Sequence, residues 1–239
     1  PEMIGRRFLA KGQFGGLIMY IIIALVTIVI IVIFTEAHRR IPVQYARSVF
    51  RSGRMYKQTG STHIPLRVNT AGMIPLIFAM SLVIFPGIIA SYFINPAEPG
   101  IADFIYRMFQ PNAPLPLGLV YWGLDFLLVV AFAFFYTMVI FQQQDLPGNL
   151  QRQGGFVPGI RPGPHTANYL NQVINHITWA GALFLALVAV MPFIARLISG
   201  VEVLVLSGMA MLIVVGVVLD TMKQLEAQLV MRRYEGFIK

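Results

Sequence analysis

The chain has 239 residues, of which 57% are hydrophobic and only 12% charged, with a formal net charge of +8. A soluble domain carries about 25% charged residues, so a water-soluble globular fold is excluded. The sequence contains no cysteine, which removes disulfides, thiol catalysis and cysteine metal sites from consideration.

Residues 1–13 are an N-terminal extension that stays unplaced; the chain starts at Pro1, and no cleavable signal pattern precedes the first apolar run. Five apolar runs follow: Leu17 to Phe34, Met73 to Phe93, Leu117 to Phe141, Ile177 to Ile198 and Val201 to Leu219. Each reaches or approaches the roughly 20 residues that cross hydrocarbon as a helix. In lipid the backbone must satisfy its own polar groups, which leaves helices as the spanning form. The expected fold is an all-α membrane protein with five transmembrane helices, over 14–35, 69–93, 117–141, 169–198 and 200–222.

The first connection, 36–68, is basic. It carries Arg39, Arg40, Arg47, Arg51, Arg54, Lys57 and Arg67 against Glu36 alone. Its interleaved aromatics and its Gly60-Ser61-Thr62 run read as a β-hairpin or a short helical excursion. The connection is either a solvated topology signal or a docking surface for an acidic partner, RNA phosphate or protein. The 94–116 connection has only Arg107, with Glu98 and Asp103. The positive-inside rule then assigns 36–68, 142–168 and the tail 223–239 to the cytosol and 94–116 to the outer side. Arg6, Arg7 and Lys11 pull the other way, an expectation that something precedes them.

The second span opens Asn69-Thr70-Ala71-Gly72-Met73-Ile74-Pro75. Gly permits bending and Pro lacks an N–H, so this is a weak, breakable start. Asn69 there is expected to hydrogen-bond to a neighbouring helix. In the third span Asp125 is the one acid well inside a span. It lies about two turns from the outer end, within snorkelling reach of water, and a structural or border role outranks a proton relay. Gln153-Gly154-Gly155-Phe156-Val157-Pro158-Gly159-Ile160-Arg161-Pro162-Gly163 separates the third and fourth spans. Four glycines and two prolines cannot continue a helix, and together they make a shaped loop. It is either an ordered docking tip centred on Arg161 or an ordinary connection. Asp220, Lys223 and Glu226 at helical spacing suggest that the last helix runs out of the membrane.

Catalytic motifs are missing. There is no H-E-x-x-H and no phosphate loop; Ser207-Gly208 lacks the first Gly of G-x-S-G, and Gly216 to Asp220 is not G-x-G-D. His38, His63, His165 and His176 lie in loops or at span borders and form no ligand pair, so no metal site, cofactor or enzyme activity is expected. A secondary transporter using the Gly72–Pro75 break and Asp125 is the alternative, but the mid-span positions are nearly all apolar, which fits a greasy pore better.

The G-G-F-V-P-G-I-R-P-G loop, followed by Thr166 and Tyr169, resembles the last large cytosolic loop of the SecY family of protein-conducting channels. The runs Arg39 to Ala46, His63 to Ala79 and Leu212 to Asp220 resemble three further segments of that family, in order and spacing. The resemblance implies the family's spans six to ten, one half of a SecY-type channel, with the first five spans on a separate chain or outside this segment. It implies that Ile77 and Ile213 belong to an apolar pore ring, and that Asn69, Thr70, Gly72 and Pro75 line a lateral gate through which signal sequences enter lipid. It also implies that Arg39, Arg40, Arg47, Arg51, Arg54 and Arg161 contact the ribosome or the motor SecA. The implied partners are the N-terminal half of SecY, SecE, SecG, nascent polypeptides and the lipid bilayer; the implied location is the bacterial cytoplasmic membrane.

Overall fold

The computed structural model describes residues 14–51, 54–94, 100–114, 116–161, 163–199 and 208–235. In chain order these form α1 (Phe14–Glu36), β1 (His38–Arg51), β2 (Arg54–Arg67), α2 (Ile74–Ser91), α3 (Ile101–Met108), α4 (Leu117–Gln144), α5 (Leu146–Arg152), β3 (Gly155–Phe156), α6 (Pro164–Ser199) and α7 (Gly208–Glu235). Among the described residues, four helices are long and apolar enough to cross a membrane: Ile74–Ser91, Leu117–Arg152, Pro164–Ile198 and Gly208–Met231. The fifth expected span, α1, is a helix of 23 residues, long enough for hydrocarbon and charged only at Glu36. The helical membrane architecture holds, with one small sheet added.

Helix ends differ from the expected boundaries for local reasons. The second span starts at Ile74, five residues later than expected, because Gly72 adopts φ 66, a left-handed conformation that cannot lie within a helix. Pro75 then sits in the first turn, where its missing N–H costs nothing. Asn69, Thr70 and Gly72 therefore belong to a turn before the helix, not to its first turn. The fourth span starts earlier than expected, at Pro164, with the Gly163 carbonyl accepting from the Thr166 and Ala167 N–H groups at 3.1 and 3.2 Å. The last helix continues to Glu235, since nothing from Thr221 to Glu235 breaks a helix and most of it favours one. Residues 200–207, where that span was expected to begin, lie outside the described residues, as does the extension 1–13.

The chain packs as two compact units. One comprises Pro1–Thr35, Met80–Phe126 and Leu187–Lys239; the other comprises Glu36–Ala79 and Leu127–Ala186. In the first unit, Pro192 of α6 has no N–H to donate to the Val188 carbonyl four residues back. Gly208, at the start of α7, packs against that same carbonyl so closely that a Cβ would collide with it. Trp122 stacks edge-on against Tyr121 (5.1 Å between centroids) and lies 5.8 Å from the Phe193 ring. Arg196 sits 5.7 Å above Phe193 and reaches the Pro111 carbonyl at 3.4 Å. Asp125, 1% exposed, has both carboxylate oxygens unpartnered. Asp125, though within snorkelling reach of water, does not reach it here, because the helix face that carries it points into the packing and not outward.

Candidate functional site: a sheet that joins two connections

The second unit holds the sheet, and strand alternation builds it. Residues i and i+2 share a face, so Ile41, Val43 and Tyr45 of β1 point one way. Ile64 on β2, the partner of Ile41, points the same way, and so does Leu66 two residues on, opposite Arg39. This face is apolar and buried: Ile41 2%, Val43 0% and Leu66 5% exposed. It packs with Leu150 of α5, Val157 of the glycine-rich loop, and Leu170 and Ile174 of α6 into one cluster. The hairpin alternative for 36–68 is the one realised.

The third strand comes from the other connection. β3 pairs with β1 in the register Gln44↔Phe156 and Tyr45↔Gly155, giving the order β2-β1-β3. Gly155 suits that place, since a Cβ would lie 2.8 Å from both Leu150 Cδ2 and Tyr45 Cε1 and those side chains would have to shift. The Ile160 N–H then donates to the Val157 carbonyl at 3.1 Å, with Gly159 at φ 84. That is a type II turn, with Pro158 and Gly159 in the two central positions that favour them. Beyond it the buried Thr166 hydroxyl donates to the Arg161 carbonyl at 2.9 Å, while the Arg161 side chain is exposed. The loop is a shaped element whose backbone is pinned on both sides of an outward-facing guanidinium.

Among the described side chains, Arg39 and Arg40 do not share a face of the hairpin. Arg39 and Arg40 are both exposed, but as neighbours on a strand they project from opposite faces. Arg40 shares a shallow cavity of about 360 Å³ with His38, His63 and Pro65. His38 is paired with Arg67 and His63 with Pro42, so the two imidazoles stand four residues apart along the ladder, roughly 13 Å. Arg47, Arg51 and Arg54 lie on the strand backbones, Arg51 opposite Arg54; their side chains lie outside the described ones. Among the described residues, no group of three or more His, Asp or Glu side chains gathers as for a metal.

The turn between β2 and α2 is the other feature of this unit. The Val68 N–H donates to the Ala37 carbonyl at 2.9 Å and the Thr70 hydroxyl to the Arg67 carbonyl at 2.8 Å. The turn lies directly on α6, where a Cβ on Gly181 would come 2.5 Å from the Val68 oxygen. Asn69 lines a cavity of about 10 Å³ together with Thr137, Thr178 and Gly181, room for about one water. Its Oδ1 is buried without a partner, so the interhelical hydrogen bond expected of Asn69 is not made. Ile77 is 41% exposed on α2 and belongs to this unit, whereas Ile213 is half-buried on α7 in the other.

The sequence is similar to the SecY family model over residues 2–222. The chain belongs to the SecY family. Relatives named Protein translocase subunit SecY include those of Halalkalibacterium halodurans, 42% identical over 93% of this chain and 50% of that protein, and Streptomyces coelicolor, 42% identical over 97% and 51%. The Thermus thermophilus relative of the same name is 43% identical over 85% of this chain and 44% of its own length. The chain thus spans about half the length of the SecY relatives it matches. Sequence reading missed the pairing of β3 with β1, and with it the fact that the two SecY-like connections, 36–68 and 142–168, share one sheet. A two-residue strand leaves no periodicity to detect; the only trace is Gly155 followed by Phe156 and Val157.

Proposed function

We propose that this chain is the C-terminal half of a SecY protein-conducting channel, passing unfolded polypeptides across a bacterial cytoplasmic membrane and releasing membrane segments into lipid. The observation that carries the reading is the family match over residues 2–222, joined to coverage of about half of each relative. In this reading the N-terminal half of SecY supplies the opposite wall, and SecE and SecG complete the assembly. Ile77 and Ile213 contribute to an apolar collar that closes on a passing chain without binding any one side chain. Asn69, Thr70, Gly72 and Pro75 form the lateral-gate edge. The non-helical turn and the orphaned Asn69 oxygen support this role, since such a seam opens at little cost. Arg39, Arg40, Arg47, Arg51, Arg54 and Arg161 face the cytosol and receive SecA or the ribosome, with the C-terminus on the same side. The subunit does no covalent chemistry; any ATP hydrolysis belongs to the motor.

Co-expression with a five-span N-terminal half, in cells depleted of their resident channel subunit, tests the reading. Recovery of export and co-purification of the two halves are expected. A chain that is monodisperse alone and never associates with such a half would overturn it, and would favour the transporter alternative.

A further inference from the structure

A second concavity in the sheet-bearing unit has no part in that reading. An open cleft of about 450 Å³ lies among α4, α5 and the start of α6, within the roughly 300–1,000 Å³ of small-ligand sites. The Phe134 and Trp179 rings meet edge-on at 4.8 Å, which sets Phe134 level with Thr178. At about 1.5 Å per residue, the stretch from these two to Asp145 and Asn171 is then roughly 10–16 Å long. Along it the walls change character. Phe134 and Met138 line one end beside Thr137 and Thr178, Ile174 and Asn175 lie midway, and Gln142 and Asn171 line the other. Asp145 is the only charged lining residue. The change falls where the apolar run of α4 ends, at Phe141 before Gln142-Gln143-Gln144, the border between hydrocarbon and water.

Asp145 is also held in place. Among the described residues it is the only non-glycine at positive φ, 38°, a conformation seldom retained without local support. Its Oδ1 accepts from the Gly148 N–H at 3.2 Å and caps α5, and the Asn149 side chain donates to the neighbouring Gln144 carbonyl at 2.8 Å. The carboxylate is therefore presented at the polar mouth of an apolar slot, in a chain of net charge +8.

We propose that this cleft is a binding site for a phospholipid with a primary ammonium head group, phosphatidylethanolamine. An acyl chain lies along Phe134, Met138 and Ile174. The ammonium donates to Asp145 and the Gln142 amide oxygen, and the phosphate accepts from the Asn171 and Asn175 amides. A choline head has no N–H to donate, and an anionic glycerol head meets a carboxylate with no lining cation. Charge-assisted hydrogen bonds of this kind give about a tenfold preference for ethanolamine over choline.

The test reconstitutes the intact membrane assembly carrying this chain in bilayers of equal dioleoyl phosphatidylethanolamine, phosphatidylcholine and phosphatidylglycerol. Lipids retained on extraction are then counted by native mass spectrometry. Asp145→Asn keeps a capping oxygen and tolerates the left-handed backbone, so it removes the charge without disturbing α5. It should abolish the ethanolamine preference. Met138→Trp, which fills the apolar end, should lower retention of all three lipids. Equal retention of ethanolamine and choline lipids by the parent assembly, or an unchanged preference in Asp145→Asn, would overturn the site. A photo-crosslinker at Gln142 that captures a polypeptide and not a lipid would also overturn it, identifying the cleft as a protein contact.

Discussion

Gly181→Ala probes the contact between α6 and the turn that precedes α2. The new Cβ would lie 2.5 Å from the Val68 oxygen, against 3.4 Å for an ordinary contact, so 3.4 − 2.5 = 0.9 Å must be found. The obstacle is backbone, and the Val68 N–H is already committed to Ala37 at 2.9 Å, so the turn cannot retreat without stretching that bond. Overpacking of this sort costs about 1–3 kcal/mol, and a rigid backbone oxygen puts the cost near the top of that range. Replacing Gly by Ala inside a helix returns about 1 kcal/mol. The clash wins, leaving a loss of about 2 kcal/mol. At about 2–4 °C per kcal/mol for 150–250 residues, the Tm of the assembled protein should fall by about 4–8 °C. Gly123→Ala is the control: no atom lies within 4 Å of its added Cβ, so only the helix gain of up to about 1 kcal/mol remains. If 68–73 is the gate edge, Gly181→Ala should also pass substrates with weakened signal sequences. A Gly181→Ala assembly melting at or above Gly123→Ala would refute the contact on which this rests.

Other perturbations separate the remaining roles. Arg161→Glu should impair partner docking and export while leaving stability within about 0.5 kcal/mol of parent, because the side chain is exposed; normal export would reduce the loop to a plain connector. Ile77→Asn or Ile213→Asn, in the reassembled channel, should raise ion leak and relax signal stringency, as a polar collar wets more readily; unchanged conductance in both would remove them from the ring. Gly208→Ala should destabilise by about 1–3 kcal/mol through collision with the Val188 carbonyl, whereas Gly216→Ala, with open space around it, should not, as paired thermal melts would report.

The spans were legible because lipid imposes a length and a polarity that the sequence must obey, and four of the five stand out in the helices by those criteria alone. The hairpin was half legible: Ile41, Val43, Tyr45, Ile64 and Leu66 alternate as a buried sheet face must, but a basic loop with the same letters can also lie free in solvent. Helix starts were misread where a positive φ decides them, as at Gly72, because a glycine's letter does not reveal which φ it takes. The burial of Asp125 was illegible for a different reason. Its position along α4 is in the sequence, but the direction it faces depends on which helices pack there. The orphaned Asn69 oxygen was likewise out of reach, since the sequence supplies the donor-acceptor group but not the distance to a partner.

The shared sheet makes a mechanical claim. Val157 of the glycine-rich loop, Ile41 and Leu66 of the hairpin, and Leu170 and Ile174 of α6 occupy one buried cluster. β2 ends at Arg67, one residue before the carbonyl that rests on Gly181. If the cluster moves as one body, a push on the loop is borne by the hairpin and by α6 together and reaches the turn at Val68 through packed side chains and a strand. Spatial intermediacy alone does not establish coupling; a double-mutant cycle does. Val157→Ala removes buried side chain from the cluster and should cost about 1–2 kcal/mol. Combined with Gly181→Ala, it should depart from additivity by more than about 0.5 kcal/mol if cluster and turn move as one body. The sign is informative: a loosened cluster lets the turn yield to the new Cβ, so the double variant should be less destabilised than the sum. Additive melts would mean that the loop and the turn respond independently, and that a partner docking at Arg161 has no rigid path to the start of α2.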